Sequence, residues 1–372
     1  MLIQSSLIPA ADPNPLPAPY WVFELFLIAT FVLHIVAMNF MLGGGVLALA
    51  SKWRAKNREN GNRVFLDIAK KLPIFLPATV SLGIAPLLFV QVLYGQFFYT
   101  SSILMAWPWF LVLVLLVIAY YGFYYVSYRG GKSMGKAGSV LLGSTILVFV
   151  IGFLFSNNIT LSQTPSRWGA KYFASASGWH LNLTEPTLIP RFLHFFAAAV
   201  ALGGLLLVFM ALANWKRDRE YAGQLLHFGG KAFMYATMAQ IVVGIVFLVS
   251  LPQAMRMVFM GANLVATTLL MVGILGAIVA IFLMSEALHS ENIRAAAYYV
   301  PAIVAVVIVS MSIMRDLLRN AYLKPYFHPE QFAVKTQWSV LPLFLGIFAA
   351  GVIFWLVMIG RYGLPGGRRH SA

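Results

Sequence analysis

Nine apolar stretches, each long enough to cross a lipid bilayer, decide what this chain can fold into. A helix rises about 1.5 Å per residue, so roughly 20 residues traverse a hydrocarbon layer about 30 Å thick. On that measure the spans fall at about 20–51, 73–99, 102–128, 137–157, 187–215, 232–251, 258–284, 296–314 and 339–360, with a tight turn at Leu251-Pro252-Gln253 separating the sixth from the seventh. Backbone amides in hydrocarbon must be satisfied within their own segment, so such runs read as helices. The expected fold is an all-α, polytopic membrane helix bundle forming one membrane domain over 1–372: an outer segment 1–19, a five-helix part 20–215 and a four-helix part 232–360. Residues 1–19 carry no basic n-region and do not read as a cleavable signal peptide.

A chain that is 60% hydrophobic and 10% charged falls outside the disordered, fibrous and disulfide-stapled classes. Without cysteine it cannot hold a thiolate metal site, ligate an iron–sulfur cluster or attach haem covalently. Any redox cofactor must be held by His, Met or carboxylate. The net charge of +15 could suggest nucleic acid, but the charges sit in short clusters between the spans. With the N-terminus outside, 18 of the 26 Lys and Arg fall on the inner side, among them Lys56, Arg58, Arg294, Arg361, Arg368 and Arg369. The basic surplus therefore reads as a topology signal of a multi-pass protein of the cell inner (cytoplasmic) membrane, N-terminus out and C-terminus in, with the lipid bilayer and no nucleic acid as partner.

Ionisable groups inside the bilayer are costly and so are functional candidates. Glu24 is the one acid within a predicted span, which disfavours a proton pump or cation-coupled transporter. His34, in the first span ahead of Gly43-Gly44-Gly45, offers a neutral ring nitrogen to a haem iron, or else bonds Asn39 or a carbonyl within the bundle. His194 lies about one turn into the fifth span with Arg191 three residues earlier on the same helical face. That pair suits iron and a propionate, or equally a packed imidazole with a snorkelling arginine. Their depths, roughly 21 Å and 6 Å below the outer ends of their helices, argue against a shared iron. Met255, Met257 and Met260 cluster near the seventh span as candidate axial ligands or core filler. Gln91 and Tyr94 on the second span, with Gln163 and Pro165 after the fourth, could hydrogen-bond a quinone or serve as caps and anchors. The segments 158–186 and 315–338, the latter with Arg315, Asp316, Arg319 and His328, read as outer loops that cover the bundle or dock a partner.

Taken in order, these strings resemble subunit I of the cytochrome bd quinol oxidase superfamily. His34 with Gly43 is similar to its haem-ligating first helix. Gly83-Ile-Ala through Gln91-Val-Leu-Tyr-Gly95 resembles its Gly-x-Ala segment, Gln163-Thr-Pro165 its Gln-x-Pro, and Pro186 through Arg191-Phe-Leu-His194 the stretch bearing its low-spin haem ligand. The resemblance implies that His194 ligates a low-spin haem b and His34 a haem of the second site, one or two in all, with Arg191 and Arg256 as propionate or haem-edge partners and Gln91 and Gln163 beside the cofactors. Pro108 and Leu116 stand where the family has a pair of Glu, Ile308 where it has the Glu ligand of its high-spin haem, Val258 where it has a Met, and its long quinol-binding loop shrinks to a few residues near 252–257.

The resulting expectation is a haem-b-binding subunit of a respiratory electron-transfer complex, moving electrons between membrane quinone and a partner redox protein. Its expected partners are other membrane subunits and a periplasmic c-type cytochrome; oxygen reduction is not expected. Two rival readings are a cofactor-free membrane anchor of such a complex and a membrane permease with helices broken at Pro86, Pro108 and Pro252.

Overall fold

In the computed structural model the described residues are 8–54, 59–290, 293, 295–328 and 332–358. Lys56, Arg58, Arg294, Arg361, Arg368 and Arg369, counted above for orientation, lie outside them. In chain order the helices are α1 (Tyr20–Arg54), α2 (Glu59–Ala69), α3 (Leu72–Leu104), α4 (Ala106–Arg129), α5 (Met134–Ser162), α6 (Trp168–Ala174), α7 (Leu188–Asn214), α8 (Arg219–Ser250), α9 (Gln253–Met257), α10 (Leu264–His289), α11 (Val300–Leu323) and α12 (Val340–Met358). The described residues hold no strand, only a single bridge between Leu16 and Val334.

Eight described helical segments, built on α1, α3, α4, α5, α7, α8, α10 and α11, are long and apolar enough to cross a membrane. The uncharged 19 residues of α12 occupy most of the ninth predicted span, and 359–360 lie outside the described residues. The chain is thus an all-α multi-pass membrane protein. Pro77 and Pro86 lie inside the continuous α3, and Pro108 stands in the first turn of α4, where a proline is tolerated. Of the three prolines expected to break helices, Pro86, Pro108 and Pro252, only Pro252 falls between helices.

Several helices run longer than their predicted spans, α8 from Arg219 and α5 to Ser162, and two boundaries differ in ways that bear on the site. The seventh span starts later than 258: after Ser250 the chain makes the short α9 and a wide turn at Val258–Ala262, where Gly261 has φ of 113°. Asn263 then caps α10, its side chain accepting from the Ala266 amide at 3.0 Å. The eighth span runs past 314 to Leu323, so Arg315, Asp316 and Arg319 belong to a helix and not to an outer loop. Their polarity mimics a span end, yet Asp316 and Arg319 pair with each other and Arg319 reaches Tyr94 on α3, while Arg315 lies over the Phe31 ring of α1.

The bundle is tightest where α7 meets α8 and α1. A Cβ on Gly204 would stand 2.5 Å from the Gly229 carbonyl oxygen, and one on Gly203 2.5 Å from the Gly43 carbonyl carbon, so only glycine permits these approaches. At the other end of the bundle α3 leaves helical geometry at Tyr94 (φ −131°, ψ 29°), which turns that phenol inward.

Candidate functional site

α7, α8, α10 and α11, with one edge of α1, line an apolar, partly open cavity of about 230 Å³. About 10–15 Å³ admits one water on the same scale, so this is a chamber for a sizeable ligand. Among the described residues no carboxylate lines it, while the polar residues His194, Arg191, Arg315, Asn39 and Gln240 do.

His194 enters the cavity from α7. Its Nδ1 donates to the Gln240 carbonyl oxygen of α8 at 3.2 Å. A carbonyl can only accept, so the bond fixes the tautomer: Nδ1 carries the proton and Nε2 keeps a lone pair. Gly244, one turn beyond Gln240, leaves room for the ring, since a Cβ there would lie 3.1 Å from Cε1. Arg191, one turn earlier on α7, is buried; one of its Nη donates to Gln163 Oε1 at 2.9 Å and its guanidinium stands 5.3 Å from the Phe247 ring centre, while its Nε has no partner. Arg315 reaches the cavity from α11 over the face of Phe31, 4.2 Å from the ring centre.

His34 is placed differently. Phe31, Ile35 and Asn39 form the stripe of α1 that lines the cavity, and His34 is turned about 100° from Ile35 toward α3. Its Nδ1 donates to the Thr79 carbonyl oxygen at 3.0 Å, and its ring occupies the space a side chain at Gly83 would need. His34 is absent from the cavity wall. Arg256, on α9, donates to the Val249 carbonyl oxygen at 3.2 Å and also stands off the wall, as do Met255, Met257 and Met260; the methionines in the wall are Met311 and Met314. Gln91 lies on α3 away from the cavity, whereas Gln163 is joined to it through Arg191.

Gln163 also borders a second pocket of about 420 Å³, with Glu185, Tyr322 and Pro252. Leu251 belongs to both walls. The Tyr322 hydroxyl is buried there without a partner, and Arg167 pairs with Glu185 at 3.1 Å.

Beside the cavity a polar network joins α1, α3 and α11. Tyr20 and Tyr94 share a hydrogen bond of 2.7 Å; Tyr94 donates to Asn320 at 2.6 Å; and Asn320 donates to Glu24 at 2.9 Å and to Asp316 at 3.0 Å. Arg319 pairs with Asp316 and lies over the Tyr94 ring. Sequence reasoning missed both this network and Arg315, having placed α11's last turns outside the membrane. The signal was present: Val304, Ile308, Met311, Arg315 and Leu318 recur every three or four residues, and all five line the cavity.

No family model and no curated protein matches this chain. Among solved structures, a chain of the bd oxidase from Geobacillus thermodenitrificans superposes with a TM-score of 0.71 at 13% identity, covering 94% of this chain and 99% of that chain. The protein therefore has a bd-oxidase-like fold over 94% of its length, and at this identity the likeness is one of architecture.

Proposed function

We propose that this protein is a haem-b-binding integral membrane subunit of a respiratory electron-transfer complex, moving electrons between membrane quinone and a partner redox protein. The observation that carries this reading is the His194 imidazole, locked by Gln240 as the tautomer that leaves Nε2 free, beside an apolar chamber whose only charged groups among the described residues are two guanidiniums. A neutral nitrogen ligand, apolar walls and cations for a carboxylate edge are the donor set a b haem requires. His194 would hold the iron and Arg191 a propionate. When bound, the haem supplies one-electron redox chemistry. The chain's own residues orient it and keep water from it: Gln240 fixes the imidazole, Phe247 and Gln163 hold Arg191 in place, and the aliphatic walls exclude solvent.

The second pocket suits a quinone headgroup, because the unpartnered Tyr322 hydroxyl and the Gln163 amide, whose carbonyl is already taken by Arg191, can donate to ring oxygens. Oxygen reduction is not part of the proposal, since the cavity wall lacks carboxylates to deliver protons. The rest of the reading is an inner-membrane location with the N-terminus outside, a second membrane subunit, and a periplasmic c-type cytochrome exchanging electrons with the haem. The reduced-minus-oxidised spectrum of the purified full chain tests it. A b-type band is expected, to be lost in His194→Ala while the protein stays folded; a wild-type protein lacking the band refutes the proposal.

A further inference from the structure

Arg315 presents an unsolved electrostatic problem. It sits about two turns before the end of α11, its guanidinium lies on Phe31, and it lines the apolar cavity. Among the described residues no hydrogen bond or ion pair reaches it, although a guanidinium brings five N–H donors. A charge withdrawn from water without an acceptor is strongly disfavoured, so such groups occur with a counterion. The nearby acids do not serve. Asp316 is held by Arg319 and Asn320, and Glu24 by Tyr20 and Asn320. Arg191, across the same wall, has one Nη on Gln163 and an Nε with no partner. Two cations thus face one chamber whose wall, among the described residues, contains no anion.

We propose that Arg315 and Arg191 form a two-cation clasp for the anionic edge of an amphiphilic ligand whose apolar body fills the cavity. The network on α11 sets this up. Asp316, Arg319 and Asn320 tie the following turn of the helix to α1 and α3, so Arg315 cannot unwind toward water and its fork is directed at the chamber. The ligand chemistry is a pair of carboxylates or a phosphate on a flat or branched apolar group. If the haem reading above is right, on which this identification rests, the edge is the two propionates and Arg315 is the second propionate partner; an anionic phospholipid is the other source of the same chemistry.

The test uses the full chain purified in mild detergent as wild type, Arg315→Gln and Arg315→Lys, with native mass spectrometry for the retained ligand and a spectral redox titration. Wild type is expected to retain one anionic amphiphile, with retention falling at least fivefold in Arg315→Gln and less in Arg315→Lys. If the ligand is haem, losing the cation disfavours the reduced, more negative form. The reduction equilibrium then moves tenfold or more toward the oxidised state, about 59 mV for one electron. A retained phospholipid that Arg315→Gln releases would support the clasp and refute the haem. A wild type that retains no anionic ligand, or variants that keep both ligand and potential unchanged, would overturn the clasp whatever the spectrum shows.

Discussion

Gly244→Ala sets two effects of similar size against each other and so tests the His194 geometry directly. In an unobstructed helix alanine is favoured over glycine by about 0.8–1 kcal/mol. At Gly244 the added methyl would stand 3.1 Å from His194 Cε1 and 3.2 Å from Nδ1, whereas ordinary contact begins near 3.4 Å. The ring must move away from α8 by about 0.3 Å, which is the difference between 3.4 and 3.1 Å. Its hydrogen-bond acceptor is the Gln240 carbonyl on that same helix, so the move stretches a bond already at 3.2 Å toward about 3.5 Å, where it ceases to count. A lost hydrogen bond costs about 0.5–1.5 kcal/mol net, enough to cancel or reverse the gain from alanine. Gly143→Ala on α5, where nothing lies within 4 Å of the new methyl, is the control and should keep the full gain. Chemical unfolding in detergent should therefore separate the two variants by about 0.5–1.5 kcal/mol, the worth of the lost hydrogen bond, with only Gly244→Ala loosening the ring. Equal stabilisation of both would show that the His194–Gln240 bond does not constrain the imidazole.

Two further outcomes follow from ion pairs at opposite ends of the bundle. Asp316→Asn leaves Arg319 buried without its carboxylate and should cost about 3–5 kcal/mol in the same unfolding assay; a loss below about 1 kcal/mol would mean that the network on α11 is not cohesive. Asp218 caps α8, accepting from the Tyr221 amide at 3.1 Å, and the Arg63 hydrogen bond at 2.7 Å holds its carboxyl below the ordinary value. A depressed carboxyl contributes stability above its unfolded pKa, about 3.9, and loses it as pH falls through the lower folded value. Wild-type melting temperature should thus drop more steeply below about pH 4 than that of Asp218→Asn, and parallel acid limbs would contradict this.

The helices were legible because the bilayer demands a long apolar run for each crossing, and nothing else in this sequence could supply them. Errors fell where polarity ceased to report exposure. Arg315, Asp316 and Arg319 read as a loop since ionisable residues usually end a span, yet here Asp316 and Arg319 pair with each other and the neighbouring Arg319 and Asn320 reach Tyr94 and Glu24, some 220 to 300 positions distant in sequence, while Arg315 turns to the cavity. Spacing along one helix did bring Arg191 and His194 to one wall, because a three-residue offset is a local property. Which helix supplies the cation opposite them is not local: Arg256, on α9, stands off the cavity that Arg315 reaches from α11.

His34 and His194 carry the same side chain in similar apolar runs, and each donates Nδ1 to a carbonyl one helix away. What separates them is the space beyond the other ring nitrogen. The His34 ring fills the groove over Gly83, while His194 stands at the wall of the chamber. His34→Ala should consequently leave the b-type band of the cavity haem intact while destabilising the bundle by about 0.5–1.5 kcal/mol, the net worth of the lost hydrogen bond to Thr79. His194→Ala should abolish that band. If His34→Ala instead removes the band and stability is unchanged, then the chamber beside His194 is not where the haem resides, and the assignment must move to the α1–α3 groove.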